Sequence, residues 1–376
     1  MPVLSFLAPR PPRTQVCLNV NGTAFLRNAL LMYSTAPFLT SKESFVHQSS
    51  WQVREIARLI GTFEFNVDVI DYDNNSYSRP IYDLIIELHP GLTSTANRCA
   101  KPAAIRMAYL TGSDHEFSNL AETDRLDRLY ARRGVRLKAR RHVAPFSPGL
   151  LASYDGICAI GNSTAVNTYS QHGLRSVYKI PNTGYPFLRQ VADGPKSPSA
   201  FVFLTSSGQV YKGLDLVLEV FARNPHLTLW VCSSFRRELD FCVAYWRELF
   251  FTKNIKPVGF IDIQSQQFAQ IATQCAYAIL PSCAEGISGS LLTAMSAGII
   301  PVATSQCGLA PGEYVPLGEA TPESIERTVC ELSTKNIDWV TGFSMSVRMA
   351  IEQHYTAAAF THSVQAALSL TLASEP

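Results

Sequence analysis

Residues 280–301 read Leu-Pro-Ser-Cys-Ala-Glu-Gly-Ile-Ser-Gly-Ser-Leu-Leu-Thr-Ala-Met-Ser-Ala-Gly-Ile-Ile-Pro. An apolar strand ending at Leu280 runs into a polar turn that carries Glu285. Gly and Ser residues then open a helix that leads to a second apolar strand. The first N–H groups of such a helix have no partner within the helix, and they lie at the positive end of its dipole. This stretch therefore predicts a binding place for a diphosphate, with Glu285 beside it.

Short apolar runs alternate with helical segments along most of the chain, which predicts parallel sheets covered by helices on both faces. A cluster of prolines that begins at Pro181 interrupts the alternation and predicts a linker between two such units. The predicted strands are 29–33, 66–70, 83–88, 105–110, 156–160 and 176–180 before the linker, and 201–205, 227–232, 255–260, 277–280 and 299–303 after it. The predicted helices are 51–60, 118–133, 214–223, 238–250, 265–273, 289–297 and, with no strand after it, 338–372.

Length and composition also favour two domains, because 376 residues of which 47% are hydrophobic can bury two separate cores. The sequence predicts a Rossmann-like, doubly wound α/β domain at 1–183, a second one at 184–340, and helices at 341–376 that pack back on the first domain. In two such domains the carboxyl ends of both sheets face one cleft, where the ligands of open α/β sheets bind. We therefore expect the functional site in this cleft.

The stretch around Glu285-Gly286 resembles the signature of the retaining GT-B glycosyltransferases of family 4, also called glycosyltransferase group 1. The family motif is Glu-Gly-Phe-Gly with a second Glu eight residues after the first. The ending Ala-Met-Ser-Ala-Gly-Ile-Ile-Pro at 294–301 matches the family's return to a strand. Thr293 stands where the second Glu is expected. In the family that Glu holds the ribose hydroxyls of the nucleotide, so the shorter, uncharged Thr293 leaves the affinity for the nucleotide and its identity open.

A second resemblance lies in residues 203–215, where Lys212-Gly213 matches the end of the family motif Gly-Arg, a few residues, Lys-Gly. In the family the basic pair neutralises the donor diphosphate as it becomes the leaving group. The Arg position falls on Gln209, or on Ser207 with a different gap, so half of this pair is missing or is supplied elsewhere. Further upstream, Ile180-Pro181-Asn182 resembles the family's junction between the last strand and the linker.

The resemblance implies a GT-B glycosyltransferase that moves a sugar from a nucleotide-diphosphate sugar to a glycan, lipid-linked or other acceptor, with retention of anomeric configuration. The first domain would bind the acceptor and the second the donor, with no metal ion and no cofactor besides the donor substrate. The turn and Lys212 would stabilise the departing diphosphate, while Glu285 would hold sugar hydroxyls. The residues so assigned to the donor are Lys212, Gln209, Gly286, Ile287, Ser288 and Thr293, and those assigned to catalysis are Glu285, Lys212 and His115.

These assignments have plain structural alternatives. Lys212 could be a solvated lysine ahead of a helix, and Glu285 could only complement the dipole of the helix that it precedes. His115 lies in a loop that resembles the place where some family members use a His near the sugar; it and His47, ahead of the first long helix, could equally be solvated. Asp71-Tyr72-Asp73 imitates the Asp-x-Asp metal motif of another transferase fold. The asparagines that follow it indicate a turn, so we expect no metal there.

The run 128–141 contains seven basic residues and no acidic one. A solvated helix end is one interpretation, and attraction to anionic membrane lipid or to an anionic acceptor is the other. Nucleic acid is not expected as a partner, because the formal net charge is only +2 and no RNA- or DNA-binding motif accompanies the run. The basic residues are Arg128, Arg132, Arg133, Arg136, Lys138, Arg140 and Arg141.

The nine cysteines are scattered singly, mostly among aliphatic residues, which indicates buried reduced thiols rather than a metal or redox site. The proline-containing start of the chain lacks the continuous apolar region of a signal peptide, and 287–303 is too short and too interrupted for a membrane span. We therefore expect a cytoplasmic protein, with peripheral contact at the inner membrane face as an option. Two competing functions remain open: a non-catalytic nucleotide-sugar binding or scaffold protein, and a nucleotide-sugar epimerase of the same fold.

Overall fold

Two parallel sheets, one on each side of the linker, form the frame of the protein. The computed structural model describes residues 15–39, 48–174, 177–190, 194 and 196–373. His47, ahead of the first long helix, lies outside the described residues, as do Ser176 of a predicted strand and Pro195 of the predicted linker.

The first sheet contains seven strands, which are β1 (Val16–Cys17), β2 (Arg27–Tyr33), β3 (Phe65–Asp71), β4 (Tyr82–Glu87), β5 (Ala100–Leu110), β6 (Gly156–Ile160) and β7 (Tyr178–Ile180). They lie in the order β1-β3-β2-β4-β5-β6-β7, and every neighbouring pair is parallel except β1 and β3. Inner strands such as β2 are continuous apolar runs because helices cover the sheet on both faces. The helices of this domain are α1 (Ser49–Thr62), α2 (Thr95–Cys99), α3 (His115–Arg133) and α4 (Ser163–Asn167).

The second sheet contains six parallel strands, which are β8 (Ser197–Leu204), β9 (Thr228–Cys232), β10 (Ile255–Pro257), β11 (Cys275–Leu280), β12 (Ile300–Ala303) and β13 (Val315–Pro316). Their order is β10-β9-β8-β11-β12-β13, which is the strand order of nucleotide-binding Rossmann domains. The helices of this domain are α5 (Gln209–Lys212), α6 (Leu214–Arg223), α7 (Leu239–Ala244), α8 (Trp246–Phe251), α9 (Gln266–Gln274), α10 (Gly289–Ser296) and α11 (Pro322–Ser333).

Two long helices, α12 (Ile337–His354) and α13 (Ala357–Leu372), end the described chain. The first packs on α10 of the second domain. The last returns to the first domain, where the Phe360 ring lies against that of Trp51 at 5.4 Å and the Thr361 hydroxyl donates to Glu55 at 2.7 Å. The last helix, α13, thus packs on the first domain as predicted for the C-terminal helices, whereas α12 packs on the second domain. Within the part of the chain that the structure describes, no helix combines the length and the apolar character that a bilayer span requires.

The structure differs from the predicted elements where the backbone leaves regular geometry. The predicted helix 238–250 is two short helices, because Tyr245 between them has non-helical dihedrals (φ −115°, ψ 26°). The predicted strand 255–260 ends at Pro257, and Gly259 just beyond it has a φ of +97°. The sequence did not predict α11. It also did not predict the strands β1 and β13, because two residues are too few to give a periodic pattern.

Gly308, in the loop after β12, packs so closely against the turn after β11 that a side chain there would overlap the carbonyl oxygen of Gly286. Its φ is +79°, whereas Gly312 has a φ of +90° and open space around it. Both substitutions by alanine introduce unfavourable backbone strain, on the order of 1 kcal/mol. We expect Gly308→Ala to lower the free energy of unfolding by at least about 1 kcal/mol more than Gly312→Ala, because it also displaces the turn. Urea denaturation measures both values, and equal losses would contradict this packing.

Candidate active site

A cleft of about 460 Å³ separates the two domains at the carboxyl ends of their sheets. Its second-domain wall includes the turns after β8 and β11. These two strands are neighbours at the place where the strand order reverses, since the chain proceeds from β8 to β9 on one side and from β11 to β12 on the other. Loops diverge at such a switch point and leave a crevice for a ligand. The first-domain wall includes Tyr33, Leu88, Thr111 and Ile160.

Lys212 reaches the cleft from the turn after β8. The single helical turn α5 ends at Lys212, and Gly213 follows with a φ of +81°. A side chain at Gly213 would lie 2.5 Å from Cγ of Pro281, so glycine is needed for this turn to approach the turn after β11. Lys212 is only 6% exposed, and its ammonium forms an ion pair with the carboxylate of Glu285. The structure thus places the ammonium directly on the turn that follows Leu280.

Glu285 is fixed by contacts from both domains. Its carboxylate accepts a hydrogen bond from the Ser282 hydroxyl at 2.7 Å in addition to the ion pair. Its main-chain carbonyl accepts one from the hydroxyl of Ser113, in the first domain, at 2.6 Å. The next residue, Gly286, lies so close to the first sheet that a side chain there would overlap the carbonyl oxygen of Ile160. The turn is therefore held in the interface, with the Glu285 side chain towards the cleft.

The N–H groups at the start of α10 differ in part from those expected. The Ser288 N–H donates to the carbonyl oxygen of Cys307 at 3.0 Å, so it is not free to bind an anion as predicted. Among the described residues, none accepts a hydrogen bond from the N–H groups of Gly286, Ile287, Gly289 or Ser290. All four of these residues line the cleft, as does Ser288 itself. At this helix start the N–H groups without an acceptor among the described residues are accordingly those of Gly286, Ile287, Gly289 and Ser290.

Gln209 does not face the cleft and cannot take the place of the second basic residue of the family motif. It is 0% exposed, and its side-chain amide donates to the Ser206 carbonyl and accepts from the Ser233 hydroxyl, both at 2.9 Å. The carboxylate of Glu238 accepts hydrogen bonds from the N–H groups of Gly208 and Gln209, which fixes the loop between β8 and α5. Gln209 therefore shapes the turn that carries Lys212 rather than contacting a phosphate.

Thr293 lines the cleft but its hydroxyl is already engaged. It donates to the Gly289 carbonyl at 2.9 Å, one turn earlier in α10. The side-chain amide of Gln48, at the start of α1, donates to the same carbonyl at 2.9 Å and lies beside the Thr293 hydroxyl. The place at which the resemblance puts a ribose-binding Glu is thus covered by a first-domain amide, and Thr293 alone does not offer an equivalent contact.

Two further buried amides link the domains, and local sequence patterns pointed to only one of them. Asn182 donates to the Ile287 carbonyl at 2.9 Å and accepts from Gln52 of α1 at 2.9 Å. Asn182 belongs to the junction motif noted in the sequence, whereas Gln52 is an ordinary position of an amphipathic helix. Together with Gln48 they tie the start of α1 and the linker to the turn of Glu285.

A smaller cavity of about 130 Å³ is lined by His89, His115, Arg141 and Glu285, among other residues, and shares a wall with the main cleft. The Nδ1–H of His115 donates to the Ala144 carbonyl (2.9 Å), and the His115 ring stacks on Phe146. Burial lowers the pKa of His115. Burial also lowers the pKa of His89 to about 4, with smaller contributions from the nearby His115 and Arg141. Both rings are therefore neutral at pH 7, and His89 was missed because a single His carries no sequence pattern.

The basic run 128–141 lies largely in the domain interface and does not form a free basic face. Three of its arginines pair with carboxylates of the second domain, and a fourth pairs within its own helix. Their charges are compensated, so the predicted attraction of anionic lipid does not extend to these four residues. The pairs are Arg128–Asp124, Arg132–Asp215, Arg132–Glu219, Arg133–Glu248 and Arg140–Asp240.

Arg141, the last residue of the run, behaves differently. Its guanidinium lies 5.7 Å from the centre of the Tyr211 ring, next to Lys212, and it lines both the cleft and the smaller cavity. No described carboxylate forms an ion pair with it. An exposed cation from the first domain therefore faces the buried Lys212 of the second.

Asp71, in the Asp-x-Asp sequence, is a structural residue of a turn. Its carboxylate accepts hydrogen bonds from the N–H and the hydroxyl of Thr35, each at 3.0 Å. Within the described ranges, no group of three or more His, Cys, Asp or Glu side chains is arranged to hold a metal ion. These hydrogen bonds join the segment that follows β2 to the end of β3.

His89 should make the free energy of unfolding depend on pH. Its pKa is near 4 in the folded chain and near 6.5 when unfolded, so protonation favours unfolding as pH falls through this window. The contribution of the neutral His89 to stability is thus fully present above pH 6.5 and is lost as the pH falls towards 4. We expect the free energy of unfolding of the wild type to fall, relative to His89→Gln, by about 2 to 3 kcal/mol between pH 7 and pH 4.5.

Urea titrations of both proteins at the two pH values measure this difference. Substitution of the exposed His226 by Gln serves as the control. If His89→Gln and His226→Gln changed the pH dependence equally, the buried, neutral state of His89 would be refuted.

Comparison with known proteins gives a family match for part of the second domain and a fold for the chain. Residues 199–334 match the sequence model of the family described as Glycosyl transferases group 1. Comparison with curated proteins gave no match. Among solved structures, TarM is 12% identical with a TM-score of 0.55 over 77% of this chain and 55% of its own. The chain thus spans about half the length of TarM.

Two other solved structures are matched over almost their whole length. HepE of Anabaena, in complex with UDP and glucose, is 12% identical with a TM-score of 0.58 over 93% of this chain and 100% of its own. WaaG, described as a glycosyltransferase involved in lipopolysaccharide biosynthesis, is 12% identical with a TM-score of 0.54 over 90% of this chain and 99% of its own. The chain therefore has the GT-B fold, and residues 199–334 of its second domain are similar to the glycosyl transferases group 1 family.

Proposed function

We propose that this protein is a glycosyltransferase that moves a sugar from a nucleotide-diphosphate sugar to a glycan or lipid-linked acceptor, with retention of configuration and without a metal ion. The observation that carries the proposal is the meeting of the buried Lys212 ammonium with the Glu285 carboxylate at the start of α10. Related folds give support: HepE has been solved with UDP-glucose, and TarM of S. aureus with UDP, alpha-GlcNAc-glycerol and fondaparinux.

The donor diphosphate would bind at the start of α10. Four N–H groups that have no acceptor in the described part of the chain, together with the helix dipole, favour an anion there. The Lys212 ammonium, which in the structure compensates Glu285, would transfer to a phosphate oxygen and neutralise the leaving group as the bond to the sugar breaks. Glu285 would then be released to accept hydrogen bonds from hydroxyls of the donor sugar. One lysine thus couples binding of the diphosphate to recognition of the sugar.

Arg141 would supply the second positive charge of the diphosphate site. The family motif places an Arg near Gln209, but that side chain is buried and saturated. Arg141 reaches the same cleft from the opposite domain and lacks an ion-pair partner among the described residues. A guanidinium binds phosphate oxygens in a bidentate manner, which suits this role. Donor binding would therefore draw cations from both domains.

The acceptor would approach through the smaller cavity, whose lining comes mostly from the first domain. His115 and His89 line it with neutral rings, which can accept a hydrogen bond from an acceptor hydroxyl. In the reaction the acceptor oxygen forms a bond to the anomeric carbon while the bond to the diphosphate breaks. The hydroxyl proton passes to the departing phosphate oxygen, so no enzyme acid is required.

One observation favours a second candidate, a nucleotide-sugar binding protein without transferase activity. The hydroxyl of Thr293 is engaged with Gly289, and Gln48 covers the place of the family's ribose-binding Glu. With fewer hydrogen bonds to the ribose, the protein would still bind a nucleotide sugar but would not transfer the sugar efficiently. The two functions separate in one assay, because only the transferase releases nucleoside diphosphate from the donor.

Substitution of Lys212 tests the leaving-group role. With the donor sugar that the wild type turns over, we expect Lys212→Met to lower kcat/KM by about a hundredfold to a thousandfold, since it removes a preorganised charge from the diphosphate. Release of nucleoside diphosphate measures this effect. Lys335→Met, which removes a surface lysine paired with Glu331, is the matched control and should leave kcat/KM unchanged. Wild-type activity that survives in Lys212→Met would exclude the proposed role.

Substitution of Arg141 tests the contribution of the first domain. Loss of one charged hydrogen bond of about 1.5 to 3 kcal/mol should weaken binding of a nucleoside diphosphate more than tenfold in Arg141→Gln. Arg141→Lys should recover part of the loss. The control is Arg136→Gln, in the same basic run but with its guanidinium over the Tyr130 ring at 4.1 Å. Isothermal titration calorimetry gives the dissociation constants, and equal values for the Gln variants would show that Arg141 does not contact the diphosphate.

A further inference from the structure

Four large apolar side chains of α7 and α8 point into solvent: Leu239 (65% exposed), Val243 (77%), Trp246 (54%) and Phe251 (69%). We call this set the α7–α8 ridge. Leu239 and Val243 are four residues apart and lie on one face of α7, and Trp246 follows directly at the start of α8. Within α8 the Trp246 ring lies 6.0 Å from that of Phe251, so the two aromatic side chains of this helix form one apolar surface.

The ridge is not needed to hold these helices on the domain. Their opposite side is already buried through Phe241, Tyr245 and Leu249, which are almost fully inaccessible. The Phe241 and Tyr245 rings also stack at 4.8 Å. Burying one face and leaving a second apolar face in water is unfavourable, and large exposed apolar patches mark interaction sites.

The surroundings of the ridge carry unbalanced positive charge. Residues 235–256 contain five basic side chains, all exposed, and none forms an ion pair within the described part of the chain. The three acidic residues of the same segment are occupied elsewhere. Glu238 accepts hydrogen bonds from the backbone N–H groups of Gly208 and Gln209. Asp240 forms an ion pair with Arg140, and Glu248 forms one with Arg133. The basic residues are Arg236, Arg237, Arg247, Lys253 and Lys256.

We propose that the α7–α8 ridge docks on an anionic lipid membrane. Apolar and aromatic side chains that project from short helices enter the boundary between headgroups and acyl chains, and a Trp ring prefers that interface. Lys and Arg around them attract anionic headgroups, each with about 1 kcal/mol near the surface. Charge complementarity selects this partner: the same segment carries five exposed cations without ion pairs among the described residues, whereas two of its three acids pair with arginines and the third, Glu238, is buried. The contact thus lies in the second domain rather than on the basic run 128–141.

Membrane docking at this place would orient the cleft. Phe260, a few residues after β10, is 55% exposed and also lines the cleft, so the cleft mouth is close in sequence to the docking segment. A transferase held in this way would meet acceptors that are anchored in the same lipid surface. The docking itself does not depend on the proposed function, because it needs no donor and no turnover.

Vesicle binding of the full-length chain tests the proposal. We expect co-sedimentation with phosphatidylcholine vesicles that contain phosphatidylglycerol, much weaker binding to phosphatidylcholine alone, and loss of binding at high salt. Trp246→Ser combined with Phe251→Ser should lower the partition coefficient at least tenfold. Arg237→Gln, Arg247→Gln and Lys253→Gln together should lower it about a hundredfold, from about 1 kcal/mol per charge.

The matched control combines Met345→Ser and Met349→Ser, two exposed apolar residues of α12 at 60% and 53% exposure. It should bind anionic vesicles like the wild type. All substituted side chains are exposed, and unchanged melting temperatures verify folding. Equal binding of the ridge variant and the control would overturn the proposal. So would sedimentation velocity that shows a dimer lost on Trp246→Ser and Phe251→Ser, since the ridge would then bind a second copy.

Discussion

Lys212 and Glu285 meet as a buried ion pair between the turns after β8 and β11, and the site depends on this contact. Removing one member of such a pair leaves an uncompensated charge, which costs several kcal/mol. Only another anion can therefore replace Glu285 as the partner of the ammonium, and the adjoining helix start offers N–H groups for it. The strand order brings these two turns together at a switch point, so the fold and the proposed chemistry follow from the same topology.

The first domain fixes the position of this turn. Ser113 and Asn182 donate to the main-chain carbonyls of Glu285 and Ile287, and Arg125 donates to that of Pro281 at 2.6 Å. Farther out, arginines of the run 128–141 pair with carboxylates of the second domain. A run that looks like a free basic surface in the sequence thus closes the domain interface, and only its end, at Arg141, leaves a cation in the cleft.

The two sheets were predictable because buried parallel strands need apolar side chains on both faces, as β11 and β12 show. That Lys212 and Glu285 meet at the cleft also agrees with the sequence, because Lys212-Gly213 and Glu285-Gly286 resemble two motifs of one family. The rest depends on contacts between distant residues. Gln209 is held by Ser233 and by the loop that Glu238 closes. The Ser288 N–H is occupied by the carbonyl of Cys307. Arg141 lies near Lys212 only because the two domains face each other. Single residues of this kind leave no periodic or motif signal in one sequence.

The most direct measurement is a crystal structure with a bound nucleoside diphosphate, such as UDP. The account predicts both phosphates at the start of α10, within hydrogen-bond distance of the N–H groups of Gly286, Ile287, Gly289 or Ser290. The Lys212 ammonium should lie on a phosphate oxygen, separated from the Glu285 carboxylate. A diphosphate bound elsewhere, or one bound while the Lys212–Glu285 ion pair stays intact, would contradict it.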